Sequence, residues 1–141
     1  MDREVVLKKI KEIMKESRIG VLSTSQDNVP DSRYMIFYDQ EFDLYTKTSR
    51  ESMKIEEIEK NPIAHILLGY DDTKNHSFLE IYADLEVTED PDIIDWIWDE
   101  QDKSFFQSKD DPKLCVIRAI PKSIKLMNSD SEDGPQLVEF D

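Results

Sequence analysis

IGVLSTSQDNVPDSRYMIFYDQEFDLYTK, residues 19–47, holds three runs of β-branched and aromatic residues divided by two polar turns. Ile19 to Thr24 reads as a strand, Ser25 to Asn28 as a turn, and Val29 to Tyr38 as a second strand. Asn28 suits a left-handed turn position because its short amide side chain tolerates positive φ. Asp39 to Glu41 makes a second turn, and Phe42 to Lys47 a third strand. Three strands joined by tight turns form an antiparallel meander. They are not a βαβ unit.

Working outward, Arg3 to Glu16 places Val6, Ile10, Ile13 and Met14 on one side of a helix, with Leu7 beside them. After the meander, Thr48 and Glu51 stand in the S/T-x-x-E arrangement of a capping box. That spacing predicts a helix with Ile55 and Ile58 inward, stopped by Asn61-Pro62. Ile63 to Tyr70 reads as a buried strand and Asp71 to His76 as a polar loop. FLEIYADLEV (78–87) then alternates, with Leu79, Ile81, Ala83, Leu85 and Val87 on one face. Asp90-Pro91 opens a third helix with Ile93, Ile94, Ile97 and Trp98 on its apolar side. Asp102 to Pro112 is an acidic connection, Leu114 to Ile120 a strand broken by Pro121, and Ser123 to Met127 a further strand. Residues 129–141 are expected to be an acidic, mobile tail, although Leu137, Val138 and Phe140 could pair with something.

The expected fold is therefore mainly β with inserted helices: a six- to seven-stranded antiparallel barrel, closed or split, over residues 1–128. The length of 141 residues suits one such domain.

Net charge is −14, and residues 1–60 carry 11 of the 18 Lys and Arg but only 13 of the 32 acids. Nucleic acid is excluded as a partner, since phosphate contacts need clustered cations. An anionic small ligand would find its counter-charges in the first half. No apolar stretch approaches the roughly 20 residues that span a bilayer, and the charged N-terminus is unlike a secretory signal. A cytoplasmic protein without a disulfide is expected, because Cys115 is the one cysteine and lies in the apolar run LCVI.

Arg33, Thr46, Lys47, Ser49, Ser52 and Lys54 lie on adjacent strands and the segment they feed. A guanidinium fork and an ammonium, joined by the hydroxyls of Thr48, Ser49 and Ser52, can cradle a phosphate. The same residues also fit surface cations and helix-capping serines, and spacing alone leaves both open. No glycine-rich phosphate loop occurs, nor H-E-x-x-H, paired C-x-x-C or G-x-S-x-G. His65 reads as a satisfied buried histidine, and Cys115 as a small buried hydrophobe.

Arg33-Tyr34-Met35, Tyr45-Thr46, Ser52-Met53-Lys54 and Asn61-Pro62 follow one another in an order that resembles pyridoxamine 5′-phosphate oxidase and its relatives, the FMN-binding split barrels. The segment 110–126 further resembles their bacterial general stress protein branch. The resemblance implies an FMN phosphate held by Arg33 and Lys54, with Ser52 assisting. It implies main-chain contacts to the flavin ring from Tyr34 and Met35, and contacts from Tyr45, Thr46 and Lys47. It also implies a homodimer with flavin at the subunit interface, where Trp96, Trp98, Phe105 and Phe106 could form a second wall or serve ordinary packing. No cation follows Lys125, so a second phosphate would be repelled and pyridoxamine phosphate is not the expected substrate. An FMN-dependent oxidoreductase acting on a small molecule is the first expectation. A stress protein that holds flavin or a haem-like ligand without turnover, and a barrel that has lost its cofactor, are the alternatives.

Overall fold

The computed structural model describes residues 1–51, 55–74, 76–129 and 134–141. The meander forms, but its second turn is displaced: Asp39 and Gln40, expected to turn, pair with Leu44 and Asp43, giving β1 (Ile19–Gln26), β2 (Val29–Ile36), β3 (Tyr38–Gln40) and β4 (Asp43–Ser49). Asp27 and Asn28 both take positive φ in the β1–β2 turn, the requirement of a tight hairpin that Asn and Asp meet at low cost. β5 (Ile63–Leu68), β6 (Phe78–Thr88), β7 (Leu114–Met127) and β8 (Gln136–Glu139) complete one antiparallel sheet. Its order is β2-β1-β5-β6-β7-β4-β3, with β8 added to β7. β2 and β3 are one strand bent at Phe37, so the sheet returns to its starting strand and closes as a split barrel of seven strands.

Helix α1 (Arg3–Glu16) starts at an Asp2 cap and buries Val6, Ile10 and Met14 against the barrel core. On β6, Leu79, Ile81, Ala83 and Leu85 are buried, as their alternation requires. The opposite sheet surface keeps Ile19, Tyr34, Ile36, Ile63, Leu67 and Tyr82 exposed, an apolar patch spread over β2, β1, β5 and β6. Gly69 ends β5 with φ +99°, and a Cβ there would stand 2.4 Å from Ile13 Cγ2. Gly69→Ala combines left-handed strain with a clash against α1. It is expected to cost about 2 kcal/mol, read as a lower urea midpoint at unchanged slope.

Three further expectations need correction. Thr48 and Ser49 do not open a helix: they extend β4, where they pair with Cys115 and Leu114 of β7. Ladder bonds to a neighbouring strand outweigh a local capping pattern, and helix α2 begins only at Ile55 and ends at Lys60. Pro121 does not end a strand either. It lies where the β6–β7 register shifts at Tyr82/Ala83, a bulge that a residue without an N–H tolerates, so β7 runs through. His65 is not in the core but half-buried on the outer sheet surface, its ring edge-on to Tyr82 at 4.7 Å. Burial lowers its pKa from the ordinary histidine value.

The acidic C-terminal stretch carries β8, and Val138 is buried in the core. Pro91 opens helix α3 (Pro91–Ile97) behind an Asp90 cap, and a short 3-10 helix follows at Glu100–Ser104.

Candidate functional site

Phe37 N–H donates to the Arg18 carbonyl, which makes that cross-strand pair a hydrogen-bonded one. Alternation along an antiparallel ladder then turns the main-chain groups of Met35 toward β1 and those of Tyr34 and Ile36 away from it. The second inference is confirmed at Ile36, whose carbonyl accepts a 2.8 Å bond from Thr46 Oγ1 of β4. β2 and β4 share no ladder among the described residues. The barrel is split there, and Tyr34 offers an N–H and a C=O into the split.

A cavity of about 450 Å³ occupies this place. Ile19, Tyr34, Met35, Ile36 and Tyr38 bound it on one side and Lys47, Thr48 and Ser49 on the second. The third wall comes from the 3-10 region: Asp99, Gln101, Asp102, Phe105 and Phe106. Phe106 is buried, while Phe105 stands 80% exposed.

Odd and even residues of β4 have different surroundings. Leu44 packs in the barrel core, whereas Tyr45 packs with Ile97 and Val116 beneath α3 and meets Trp96 edge-on. Lys47 is on the Tyr45 side. Its Nζ donates to Asp102 Oδ2 at 2.5 Å and to the Ile97 carbonyl, and sits 4.8 Å above the Tyr38 ring. Its side chain is only 8% exposed. Lys47 therefore joins the wall segment to the barrel and offers little charge to a ligand. Asp102 also accepts the Asp99 N–H, closing a capping box on the 3-10 helix.

Arg33 lies on the opposite surface of β2 from Tyr34, beside Leu22 and toward the β1–β2 hairpin. It does not line the cavity. One guanidinium nitrogen bonds Thr24 Oγ1 at 3.2 Å and the exposed carboxylate of Asp31 at 2.9 Å. The other, Nη1, is buried with no hydrogen-bond partner among the described residues. α2 is fastened to the same hairpin, since Gln26 donates to the Glu57 carbonyl and Asn61 to that of Ser25. Ser52 and Lys54, with Met53, lie outside the described residues.

Of the expected site residues, Tyr34, Met35, Lys47 and Ser49 meet at the cavity. Arg33 stands apart at the hairpin, and Tyr45 and Thr46 are buried supports. The 3-10 turn after α3 supplied Asp99, Gln101 and Asp102, which sequence reasoning had not singled out. The capping pattern D-x-x-D at 99–102 was the signal that could have shown a fixed turn there. Cys115 is fully buried, and burial raises its thiol above the ordinary cysteine value, so it is no nucleophile.

The sequence model of the family described as "Pyridoxamine 5′-phosphate oxidase like" matches residues 6–135. The chain belongs to that family. General stress protein 26 of Bacillus subtilis (strain 168) is 35% identical over 141 residues, 99% of this chain and 100% of that protein. The crystal structure of general stress protein 26 from Bacillus anthracis str. Sterne superposes with a TM-score of 0.83 at 30% identity, covering 96% of this chain and 98% of that one. A Listeria innocua protein named as a candidate pyridoxamine 5′-phosphate oxidase reaches 0.77 at 36% identity, covering 88% and 99%. The split barrel of this pyridoxamine 5′-phosphate oxidase-like chain is thus the architecture of its relatives. No helix among its described residues is long and apolar enough to cross a membrane.

Proposed function

We propose that this chain binds FMN and works as an FMN-dependent oxidoreductase on a small molecule, as a cytoplasmic homodimer. The observation that carries the reading is Arg33 Nη1, a buried cationic nitrogen without an acceptor among the described residues. An unmet buried donor costs about 1–3 kcal/mol, and an anionic oxygen at that point would offset it. A phosphoester fits this chemistry, and the residues present fit the cofactor. Arg33 holds the phosphate, with Lys54 and Ser52 assigned to the same anion from the family motif. Tyr34 presents its main-chain N–H and C=O to the polar edge of the ring, and Met35, Ile36 and Tyr38 supply apolar cover. Lys47 and Ser49 close the β4 side, while Tyr45 and Thr46 fix that strand. When bound, the isoalloxazine supplies the electron or hydride transfer, and the protein binds, orients and shields it. The family takes its name from an oxidase, which supports redox chemistry. The absence of any cation after Lys125 argues against a phosphorylated substrate.

A second copy of the chain suits the exposed apolar patch around Tyr34 and Leu67, which adjoins the cavity through Ile19, Tyr34 and Ile36. Sedimentation at neutral pH reads this directly.

The test of the cofactor is a titration of flavin-free protein with FMN and with riboflavin, followed by flavin fluorescence. FMN should bind at least about tenfold tighter, the worth of one charge-assisted phosphate contact. Equal affinities would remove the phosphate from the argument, and no binding of either would end the flavin reading.

A further inference from the structure

The segment that supplies the wall facing Tyr34 across the cavity is acidic. Residues 89–111 hold nine acids and two lysines. Both lysines are already paired, Lys103 with Glu100 at 2.8 Å and Lys109 with Asp95 at 3.2 Å. Of the groups lining the cavity, Asp99 and Asp102 are acids and Lys47 is the cation. Lys47 is answered by Asp102, the Ile97 carbonyl and the Tyr38 ring. Asp99 accepts the Gln101 N–H at 3.2 Å, and no cation pairs with it among the described residues. The remaining lining is largely apolar and aromatic, with Phe105 standing exposed at 80%.

We infer that the cavity admits uncharged or cationic aromatic molecules and rejects anionic ones, so that the redox substrate of this site is a non-anionic aromatic such as a quinone. The inference deepens the flavoprotein reading and rests on it for the word redox. The positive charge that answers the cofactor is kept elsewhere, at Arg33 on the opposite surface of β2. An incoming anion would come up against the exposed Asp99 carboxylate, with no cation free to answer it among the described lining residues. A neutral ring would meet Phe105 and Phe106 of the 3-10 wall at no such cost. With FMN bound and reduced, a quinone there would gain two electrons and two protons and leave as the hydroquinone, the flavin returning to its oxidised form.

The test uses three naphthoquinones of the same ring, one uncharged, one bearing a sulfonate and one bearing a trimethylammonium group. Each is titrated into the full chain, with and without FMN, and read by amide shifts of Gln101, Phe105 and Phe106. The neutral and cationic rings should bind at least about tenfold tighter than the sulfonate in low salt, and the gap should shrink toward about twofold at 0.5 M salt. Asp99→Asn keeps a capping side chain and removes the charge, so it should recover a large part of the sulfonate's deficit. With the reduced FMN-loaded protein, reoxidation rates should follow the same order. A sulfonate that binds as well as the neutral ring, or a deficit unchanged in Asp99→Asn, overturns the inference. The charge order surviving in a chain that takes up no FMN would support the cavity's selectivity while removing the flavin.

Discussion

Asp102→Ala should destabilise the chain by about 3 kcal/mol, the scale on which losing one member of a buried ion pair is felt. The cause is Lys47, whose side chain is 8% exposed and whose ammonium lies 2.5 Å from the Asp102 carboxylate. With the carboxylate gone, the ammonium keeps the Ile97 carbonyl and the Tyr38 face but loses its counter-ion. The Asp99 N–H loses its acceptor as well, so the capping box opens at the same moment. Asp102→Asn, which keeps an acceptor and loses the charge, should fall between the two. Glu100→Ala is the control, because its partner Lys103 is exposed and surface pairs contribute little. Urea denaturation of the three variants decides the matter. An Asp102→Ala midpoint equal to that of Glu100→Ala would show the pair to be ornamental. The expected loss also links stability to the site, since Phe105 and Phe106 follow directly on the turn that Asp102 holds.

That pair also shows what could and could not be read from the chain alone. Lys47 and Asp102 are 55 positions apart, and nothing local in either stretch points to the other. By contrast, β6 was legible because an antiparallel strand with one buried face writes its period directly into Leu79, Ile81, Ala83 and Leu85. The misreadings share one origin. Thr48 to Glu51 carries a sound helix-start pattern, and Pro121 a sound strand-break signal, yet both are overridden by pairing with β7 and β6 respectively. Local chemistry states a preference, and ladder partners far away in sequence decide. The bend at Phe37 was hidden for a related reason. Tyr34 to Tyr38 is β-prone throughout, and only the buried Phe37 side chain and the bond from its main-chain N–H to the Arg18 carbonyl mark where one strand leaves β1 for β4. In the site, period two was the missed cue: Arg33 and Tyr34 are neighbours, so they serve opposite surfaces of β2.

Arg33→Ala should raise the FMN dissociation constant about a hundredfold and leave the flavin-free protein nearly as stable as before. The two halves of this expectation have the same source. Nη1 is buried without an acceptor among the described residues, so in the absence of ligand the guanidinium costs the fold about the 1–3 kcal/mol of an unmet donor. Against that stand a 3.2 Å bond to Thr24 and a pair with Asp31, whose carboxylate is 75% exposed and therefore weakly coupled. Removing the side chain deletes both the gain and the cost. With a phosphate present the balance changes sign, because a charge-assisted contact to a dianion is worth about 1.5–3 kcal/mol and is made only in the bound state. A structural arginine would behave in the opposite way, lowering the urea midpoint and leaving flavin affinity untouched. Arg33→Lys sharpens the distinction: a point charge without the fork should restore part of the affinity, whereas a packing role would be served by methionine equally well. Calorimetric FMN titrations of the three variants, set beside their urea midpoints, separate the cases. An Arg33→Ala protein that binds FMN as the parent does would place the phosphate somewhere other than the β1–β2 hairpin.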